Sequence, residues 1–153
     1  MTEGLYVDYP EGGFYRMHWD VAPKGSGLFA EHRAFSYLLY LNENWVPKHG
    51  GCLRLYTEYH IDDRDGSLAP VMEPGGFIDV APMGGTLVIF RSDKIAHEVL
   101  ATNEKRVAVV GWWHSQRTEP LKALRRTSRA LLRSVTDRAN RLRACIMGIT
   151  RFS

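Results

Sequence analysis

Two histidines and one aspartate in this sequence have the residue types and spacing of metal ligands. His18 and Asp20 flank Trp19 at the end of a predicted strand, where residues two apart face the same side, so that imidazole and carboxylate converge. His97 opens another predicted strand and would supply a third ligand, although alone it would also fit an ordinary core or capping histidine. Two imidazoles and one carboxylate form the facial triad that holds non-haem Fe(II) and leaves coordination positions open. The sequence therefore predicts a metal site on His18, Asp20 and His97.

A second His-x-Asp pair, His60 and Asp62, lies in the long acidic stretch Thr57–Glu73, which we predict to be a surface loop. No sheet would hold the two side chains of that pair in place, and a single His-x-Asp pair is weak evidence for a metal site. We therefore interpret His60 and Asp62 as a chance match. The acids of the loop would favour a basic substrate segment, but a solvated insertion is the simpler interpretation.

An arginine follows His97 by nine residues and opens the most apolar predicted strand of the chain. The two-residue period places Arg106 on one face of that strand with Ala108, Val110 and Trp112. A guanidinium inside a barrel is unfavourable unless a carboxylate pairs with it, so either an internal acid or a bound dicarboxylate must serve. Tyr40, which shares a strand face with Ser36 and Leu38, would donate to the same anion, or would be simply a barrel aromatic.

The elements that must position these residues are short strands separated by glycine- and proline-rich turns. Even spacing, aromatic and β-branched content and the lack of a helical period before residue 117 favour an antiparallel sandwich or barrel. Eight strands are predicted: Leu5–Tyr9, Phe14–Trp19, Ala34–Leu41, Cys52–Tyr56, Phe77–Val80, Thr86–Arg91, His97–Leu100 and Arg106–Trp113.

Charge divides the chain in two. Residues 1–116 carry 10 basic and 15 acidic residues, whereas residues 117–153 carry 10 and 2. We therefore predict one β domain over 1–116 and a basic amphipathic helix over 117–153, with apolar positions at alternating steps of three and four from Leu121 to Ile149. The helix would either lay its apolar stripe on the sheet or dock on nucleic acid, an acidic partner or a membrane surface.

Composition excludes several protein classes. The 153 residues are 44% apolar and 24% charged, which fits a globular domain rather than a disordered or collagen-like chain. The longest apolar run, Val107–Trp113, is far short of a membrane span, and the first residues do not resemble a secretion signal. Cys52 and Cys145 have no metal spacing and form no disulfide framework. We expect an intracellular protein, cytoplasmic or nuclear.

These motifs together resemble a known enzyme family. The His18-x-Asp20 pair, His97 and the following Arg106 resemble the iron- and 2-oxoglutarate-dependent dioxygenases, which fold as a double-stranded β-helix, or jelly roll. The segments 36–45 (SYLLYLNENW) and 50–55 (GGCLRL) are similar to the prolyl 4-hydroxylase group. Within that group the chain resembles the oxygen-sensing, hypoxia-factor-type branch more than the collagen-type branch, which has a lysine at the position of Arg106.

The resemblance implies an activity and a set of ligands. Fe(II) would be bound by the predicted triad, and the C5 carboxylate of 2-oxoglutarate would be bound by Arg106 and Tyr40. Leu53 and Trp112 would line the cosubstrate pocket, and Tyr9 would line the substrate cavity. The cofactors would be Fe(II), 2-oxoglutarate and O2, with ascorbate as a further requirement. The reaction would hydroxylate a prolyl or other peptidyl side chain of a protein or peptide and release succinate and CO2.

The chain also departs from the family pattern. Members carry N-terminal helices and strands that support the larger sheet, and here few residues precede Tyr9, so we expect a truncated chain or a substitute in the C-terminal helix. Three alternatives stay open: a non-catalytic jelly-roll module that binds nucleic acid or an acidic partner through its basic helix; a degraded oxygenase that binds iron without turnover; and a cupin-like enzyme that uses another metal without 2-oxoglutarate.

Overall fold

A computed structural model describes residues 2–23, 25–26, 28–62, 64, 67–115 and 146–151. The described chain is built almost entirely of strands, with two short 3-10 helices at Phe29–His32 and Pro47–His49. The strands are β1 (Thr2–Tyr9), β2 (Tyr15–His18), β3 (Arg33–Tyr40), β4 (Leu53–Tyr56), β5 (Tyr59–Ile61), β6 (Leu68–Pro70), β7 (Phe77–Val80), β8 (Thr86–Arg91), β9 (His97–Val99), β10 (Arg106–His114) and β11 (Ile146–Arg151). All eight predicted strands are confirmed to within a few residues.

The strands form two antiparallel sheets and a separate hairpin. The larger sheet has the order β1-β10-β3-β8-β11, the smaller sheet has the order β2-β9-β4-β7, and β5 pairs with β6. In both sheets, strands that are distant in the sequence lie side by side. Residues that are far apart in the sequence therefore come close together in space. The predicted mostly-β, antiparallel fold class is confirmed.

The core lies between the two sheets and is formed by apolar side chains from strands of both. In β8 buried and half-buried residues alternate along all six positions, which is the pattern of a strand with one face in a core. The buried cluster takes residues from both sheets: Leu38, Tyr40, Leu53, Leu55, Val80, Val88, Phe90, Ile95, Val99 and Ala108.

Two predictions about the rest of the chain need correction. The stretch Thr57–Glu73 is not only a loop, because β5 and β6 form a hairpin within it. The predicted helix 117–153 lies largely outside the described residues, but Ile146–Arg151 is a strand paired with β8 and not a helix. Its β-branched residues suit a strand, and the open edge of β8 offers backbone groups to pair with. The domain division at residue 116 stays a prediction.

The described part of the chain contains no helix with the length and hydropathy needed to span a bilayer.

Candidate functional site

The three predicted metal ligands lie together on the inner side of the smaller sheet. His18 of β2 and His97 of β9 are directly opposite each other on paired strands, and their ring centroids are 4.3 Å apart. Asp20 follows β2, with Oδ1 3.4 Å from His18 Nε2 and Oδ2 3.5 Å from His97 Nε2. One ligand atom from each of the three residues lies within 4.8 Å of the others. The long-range pairing of β2 with β9 therefore brings together residues that are nearly eighty positions apart in the sequence.

Backbone hydrogen bonds orient both imidazoles toward Asp20. His18 donates from Nδ1 to the Arg16 carbonyl at 2.8 Å, and His97 donates from Nδ1 to the Ile95 carbonyl at 3.3 Å. Because Nδ1 carries the proton, Nε2 of each neutral ring keeps a lone pair that faces the cluster. Such hydrogen bonds from the far ring nitrogen are typical of histidines that bind a metal.

The protonation states of His97 and Asp20 also suit a metal. Burial lowers the pKa of His97 to about 4, although the Asp20 carboxylate opposes this shift, so that this ring is neutral at pH 7. Burial alone would raise the pKa of Asp20, but the hydrogen bond with His18 and the nearby His97 hold it well below its usual range. Burial alone would also lower the pKa of His18, but its bonds with Asp20 and the Arg16 carbonyl raise it. An ionised carboxylate and a neutral imidazole are the forms that bind metals.

Donor type and spacing agree with one bound ion. Two donors about 2.1 Å from an ion at right angles are about 3 Å apart, close to the two nitrogen–oxygen distances in the cluster. Two histidines with one carboxylate are the donor set of non-haem Fe(II) sites. His18, Asp20 and His97 therefore fit a ferrous ion.

A second feature is a buried guanidinium without an acid. Arg106, at the start of β10, is fully buried and donates from Nε to the Gly51 carbonyl at 2.9 Å. Its two terminal nitrogens and the hydroxyl of the equally buried Tyr40 have no hydrogen-bond partner among the described residues. Burial raises the pKa of Tyr40 although Arg106 opposes the shift, so the phenol keeps its proton and can donate it. A charged donor pair beside a neutral hydroxyl is a site for a carboxylate.

A cavity of about 550 Å³ opens next to the metal cluster. His18, Asp20 and His97 line it together with three further residues that we predicted as pocket-lining: Tyr9, Leu53 and Trp112. The Tyr9 ring lies 5.2 Å from the Arg106 guanidinium, so the cavity wall also touches the buried cation. Six of the eight predicted site residues thus line the cavity, whereas Arg106 and Tyr40 do not line it and lie behind Tyr9, with the Arg106 guanidinium 5.0 Å from the Tyr40 ring.

The sequence did not predict the residues of β3 that contact Asp20 and Trp112 and support the site. Arg33 at the start of β3 stacks over the Trp112 ring at 3.6 Å and donates to the Asp20 backbone carbonyl at 3.3 Å. A bulge in the pairing of β3 with β10 lies next to this position, and a bulge is not readable from the two-residue period. The Ser36 hydroxyl donates to the Asp20 carboxylate, although only its strand face was predictable.

The other His-x-Asp pair lies outside the site. His60 is exposed on β5, and the Asp62 carboxylate binds the guanidinium of Arg64 at 2.6 and 2.9 Å. Neither residue lines the cavity or joins the metal cluster. The expected loop is wrong here, because His60 lies on a paired strand, but the separation of the pair from the metal cluster agrees with a chance match.

Comparison with known proteins gives one consistent result. Residues 4–114 match the profile of the 2OG-Fe(II) oxygenase superfamily. Prolyl 3-hydroxylase OGFOD1 of Xenopus laevis is 32% identical over 88 residues, which are 55% of this chain and 16% of that protein. A prolyl-4-hydroxylase crystal structure from Pseudomonas putida matches with a TM-score of 0.58 and 34% identity, covering 75% of this chain and 53% of that one.

A second similar structure contains a peptide. It is a prolyl hydroxylase from Trichoplax adhaerens in complex with an oxygen degradation domain peptide of hypoxia inducible factor. It matches with a TM-score of 0.56 and 25% identity, covering 73% of this chain and 43% of that chain. The chain therefore spans about half the length of the solved relatives, and about a sixth of the frog protein.

Proposed function

Because this chain belongs to the 2OG-Fe(II) oxygenase superfamily, we propose that it is a 2-oxoglutarate-dependent dioxygenase that hydroxylates a prolyl residue of a protein or peptide. The observation that carries the proposal is the pairing of two features: a His-Asp-His cluster that fits Fe(II), and a buried arginine and tyrosine without an acid partner. All five residues lie inside the segment that matches the superfamily. The similar proteins described above support the prolyl substrate, and they also support a double-stranded β-helix as the proposed architecture.

His18, Asp20 and His97 would bind the ferrous ion. The same three residues line the cavity with Tyr9, Leu53 and Trp112, so a bound ion would lie beside the space that a substrate would enter. Bound Fe(II) and 2-oxoglutarate supply the oxidising chemistry, in which O2 is reduced, 2-oxoglutarate becomes succinate and CO2, and the substrate gains a hydroxyl group. The protein's part is to position these groups and to exclude water.

Arg106 and Tyr40 would bind the far carboxylate of 2-oxoglutarate. The terminal nitrogens of Arg106 can form two parallel hydrogen bonds with a carboxylate, and the Tyr40 hydroxyl can donate a third. All of these donors are removed from water, so a carboxylate there would satisfy groups that are otherwise unpaired. This supports a dicarboxylate cosubstrate over a cupin-like reaction that needs no such anion.

A prolyl substrate is supported by the names of the similar proteins, all of which are prolyl hydroxylases. The peptide in the Trichoplax complex supports a polypeptide rather than free proline as substrate. The wall of the cavity beside the metal cluster is largely apolar and aromatic. A proline ring is compact and apolar, which suits such a wall.

The deciding experiment is an anaerobic titration of the purified full chain with Fe(II), with and without 2-oxoglutarate. A chelated keto acid gives a visible charge-transfer band, which we expect for the wild type and for His60→Ala, the variant of the unrelated pair. His97→Ala should abolish the band. Under air, mass spectrometry of proline-containing peptides should then show the gain of one oxygen atom, together with succinate.

The absence of a band in folded wild-type protein would overturn the proposed function. The basic segment 117–153, which carries ten basic residues, would then be the place to look for partners. Salt-sensitive binding that needs this segment and is indifferent to iron would identify the chain as a binding module.

A further inference from the structure

The carboxylate of Asp20 is held by a chain of buried hydroxyls. The Ser36 hydroxyl donates to Asp20 Oδ2 at 2.5 Å, and the same Ser36 oxygen lies 2.8 Å from the Ser92 hydroxyl oxygen. Both serines are completely buried, and Asp20 is 8% exposed. Water therefore does not compete for these hydrogen bonds.

The direction of this chain follows from the chemistry of its members. An ionised carboxylate only accepts hydrogen bonds, so the single proton of Ser36 must point to Asp20. Ser36 then has only lone pairs left for Ser92, and Ser92 is the donor in that bond. Both hydroxyl dipoles thus point toward Asp20, and each bond strengthens the next.

Asp20 needs such support because it lies outside the sheets. It lies two residues beyond His18, the last residue of β2, so no strand pairing fixes its backbone. Strand β3 holds it instead at two points: Arg33 binds its carbonyl and Ser36 binds its carboxylate. Ser92, in the turn after β8, connects this arrangement to a third element.

We propose that Ser36, supported by Ser92, is a positioning residue that holds Asp20 as a one-oxygen metal ligand. The Ser36 hydroxyl donates to Oδ2, which also lies 3.5 Å from His97 Nε2, so Oδ1, 3.4 Å from His18 Nε2, is the oxygen that Ser36 leaves free to bind an ion. Two imidazoles and one carboxylate oxygen leave three of the six octahedral positions free, whereas a two-oxygen carboxylate leaves two. A two-point chelating cosubstrate needs two positions, and a third must remain for the reaction.

This inference rests on the proposed function, since it concerns how the same ligands hold their metal. The alternative is that the two serines satisfy each other as ordinary buried hydroxyls. Removing such a bond would lower the unfolding temperature but leave metal binding unaltered. Thermal stability would fall under either role. The affinity for a metal and the spectrum of the bound metal would change only if Ser36 positions Asp20, so these two measurements distinguish the roles.

The test uses Co(II) as the probe, added to the full chain without 2-oxoglutarate. Its visible bands report the coordination number. Hydrogen bonds to a ligand typically contribute 10–100-fold to metal affinity, so we expect Ser36→Ala to weaken Co(II) binding by about that factor and to change the spectrum. Ser36→Thr keeps the hydroxyl and should restore both. Ser92→Ala should weaken binding in the same direction by a smaller factor.

The control is Thr57→Val, which removes a buried hydroxyl that donates to the Gly76 carbonyl, away from the cavity. We expect it to lower the unfolding temperature and to leave Co(II) affinity unchanged. Wild-type affinity and spectrum in both Ser36→Ala and Ser92→Ala would overturn the positioning role while the proposed function stands. Failure of wild-type protein to bind metal would overturn the proposed function as well. If Ser36→Ala does not fold, Ser92→Ala and Ser36→Thr decide the question.

Discussion

The guanidinium carbon of Arg106 lies 5.0 Å from the centre of the Tyr40 ring, and both side chains are completely buried. The terminal nitrogens of the one and the hydroxyl of the other have no hydrogen-bond partner among the described residues. Each unsatisfied buried group costs about 1–3 kcal/mol, and a charged group costs more. In the protein without cosubstrate, these unpaired groups therefore lower the free energy of unfolding, and a bound carboxylate would pair with them. Cosubstrate affinity and protein stability are coupled through this pair.

Arg106→Met should separate stability from cosubstrate binding. Methionine has a similar length and no charge, so the free protein should be at least as stable as the wild type. Two charge-assisted hydrogen bonds are lost at about 1.5–3 kcal/mol each, so the Kd for 2-oxoglutarate should rise by at least about 100-fold. Thermal unfolding with Mn(II), with and without 2-oxoglutarate, measures both quantities. A rise of the unfolding temperature with 2-oxoglutarate that is as large in Arg106→Met as in the wild type would contradict the assigned anchor.

Tyr40→Phe removes one neutral donor and keeps the ring. A hydrogen bond from a neutral hydroxyl to a charged acceptor contributes about 1.5 kcal/mol, so the Kd for 2-oxoglutarate should rise about tenfold. Stability without cosubstrate should be equal to or above that of the wild type, because the unpaired hydroxyl is gone. Titration calorimetry in the presence of Mn(II) gives the Kd. An unchanged Kd would show that the hydroxyl does not reach the carboxylate.

Gly51→Ala should disturb the support of Arg106. Gly51 accepts the bond from Arg106 Nε, has a φ of 64°, and an added Cβ would lie 3.2 Å from Arg106 Cδ and 3.0 Å from Thr102. Left-handed backbone costs an alanine about 1–2 kcal/mol, and the contacts add to this. We expect a lower free energy of unfolding in urea and a weaker affinity for 2-oxoglutarate.

Gly12→Ala is the matched control for that substitution. Gly12 has a φ of 78°, and an added Cβ would meet nothing within 4 Å. Gly12→Ala should therefore lower the free energy of unfolding by the cost of the backbone conformation alone. Its affinity for 2-oxoglutarate should be unchanged. Equal losses of stability and equal affinities in the two variants would show that the contacts with Arg106 and Thr102 have no effect.

The site residues that could be predicted are those whose position follows from a short-range pattern in the sequence. His18 and Asp20 are two residues apart, and Arg106 opens a strand whose alternation places it inward, so period and residue type sufficed. The Ser36–Ser92 bond joins residues 56 positions apart, and only the pairing of β3 with β8 brings them together. Local periodicity carries no information about which strands become neighbours.

The missed hairpin has a similar explanation. β5 and β6 have three residues each, and the acidic residues between them suggest a loop. Tertiary contacts anchor the hairpin: the Tyr59 hydroxyl donates to the Tyr56 carbonyl at 3.0 Å and accepts from the Ala96 backbone N–H at 2.7 Å. Strands this short are stabilised by such contacts rather than by propensity.

Glu3→Gln should reveal a pH-dependent support behind the metal cluster. The Glu3 carboxylate accepts from Arg33 Nε and Nη2 at 3.3 and 2.9 Å, and Arg33 in turn reaches the Asp20 carbonyl and the Trp112 ring. The hydrogen bond from Arg33 lowers the pKa of Glu3 below its ordinary value of 4.5, although burial opposes this. A carboxyl whose pKa is lower in the folded state stabilises the fold above its unfolded pKa.

The stability difference between wild type and Glu3→Gln should therefore be about 1 kcal/mol at pH 7 and shrink as pH falls below 4.5. Urea unfolding of both proteins between pH 7 and pH 3 gives this difference directly, since contributions from all other carboxyl groups cancel. A difference that does not change with pH would mean that Glu3 acts through packing instead of charge. A difference that shrinks as expected would establish that the ionised carboxylate, which accepts from Arg33 and also pairs with His114, stabilises the fold through its charge.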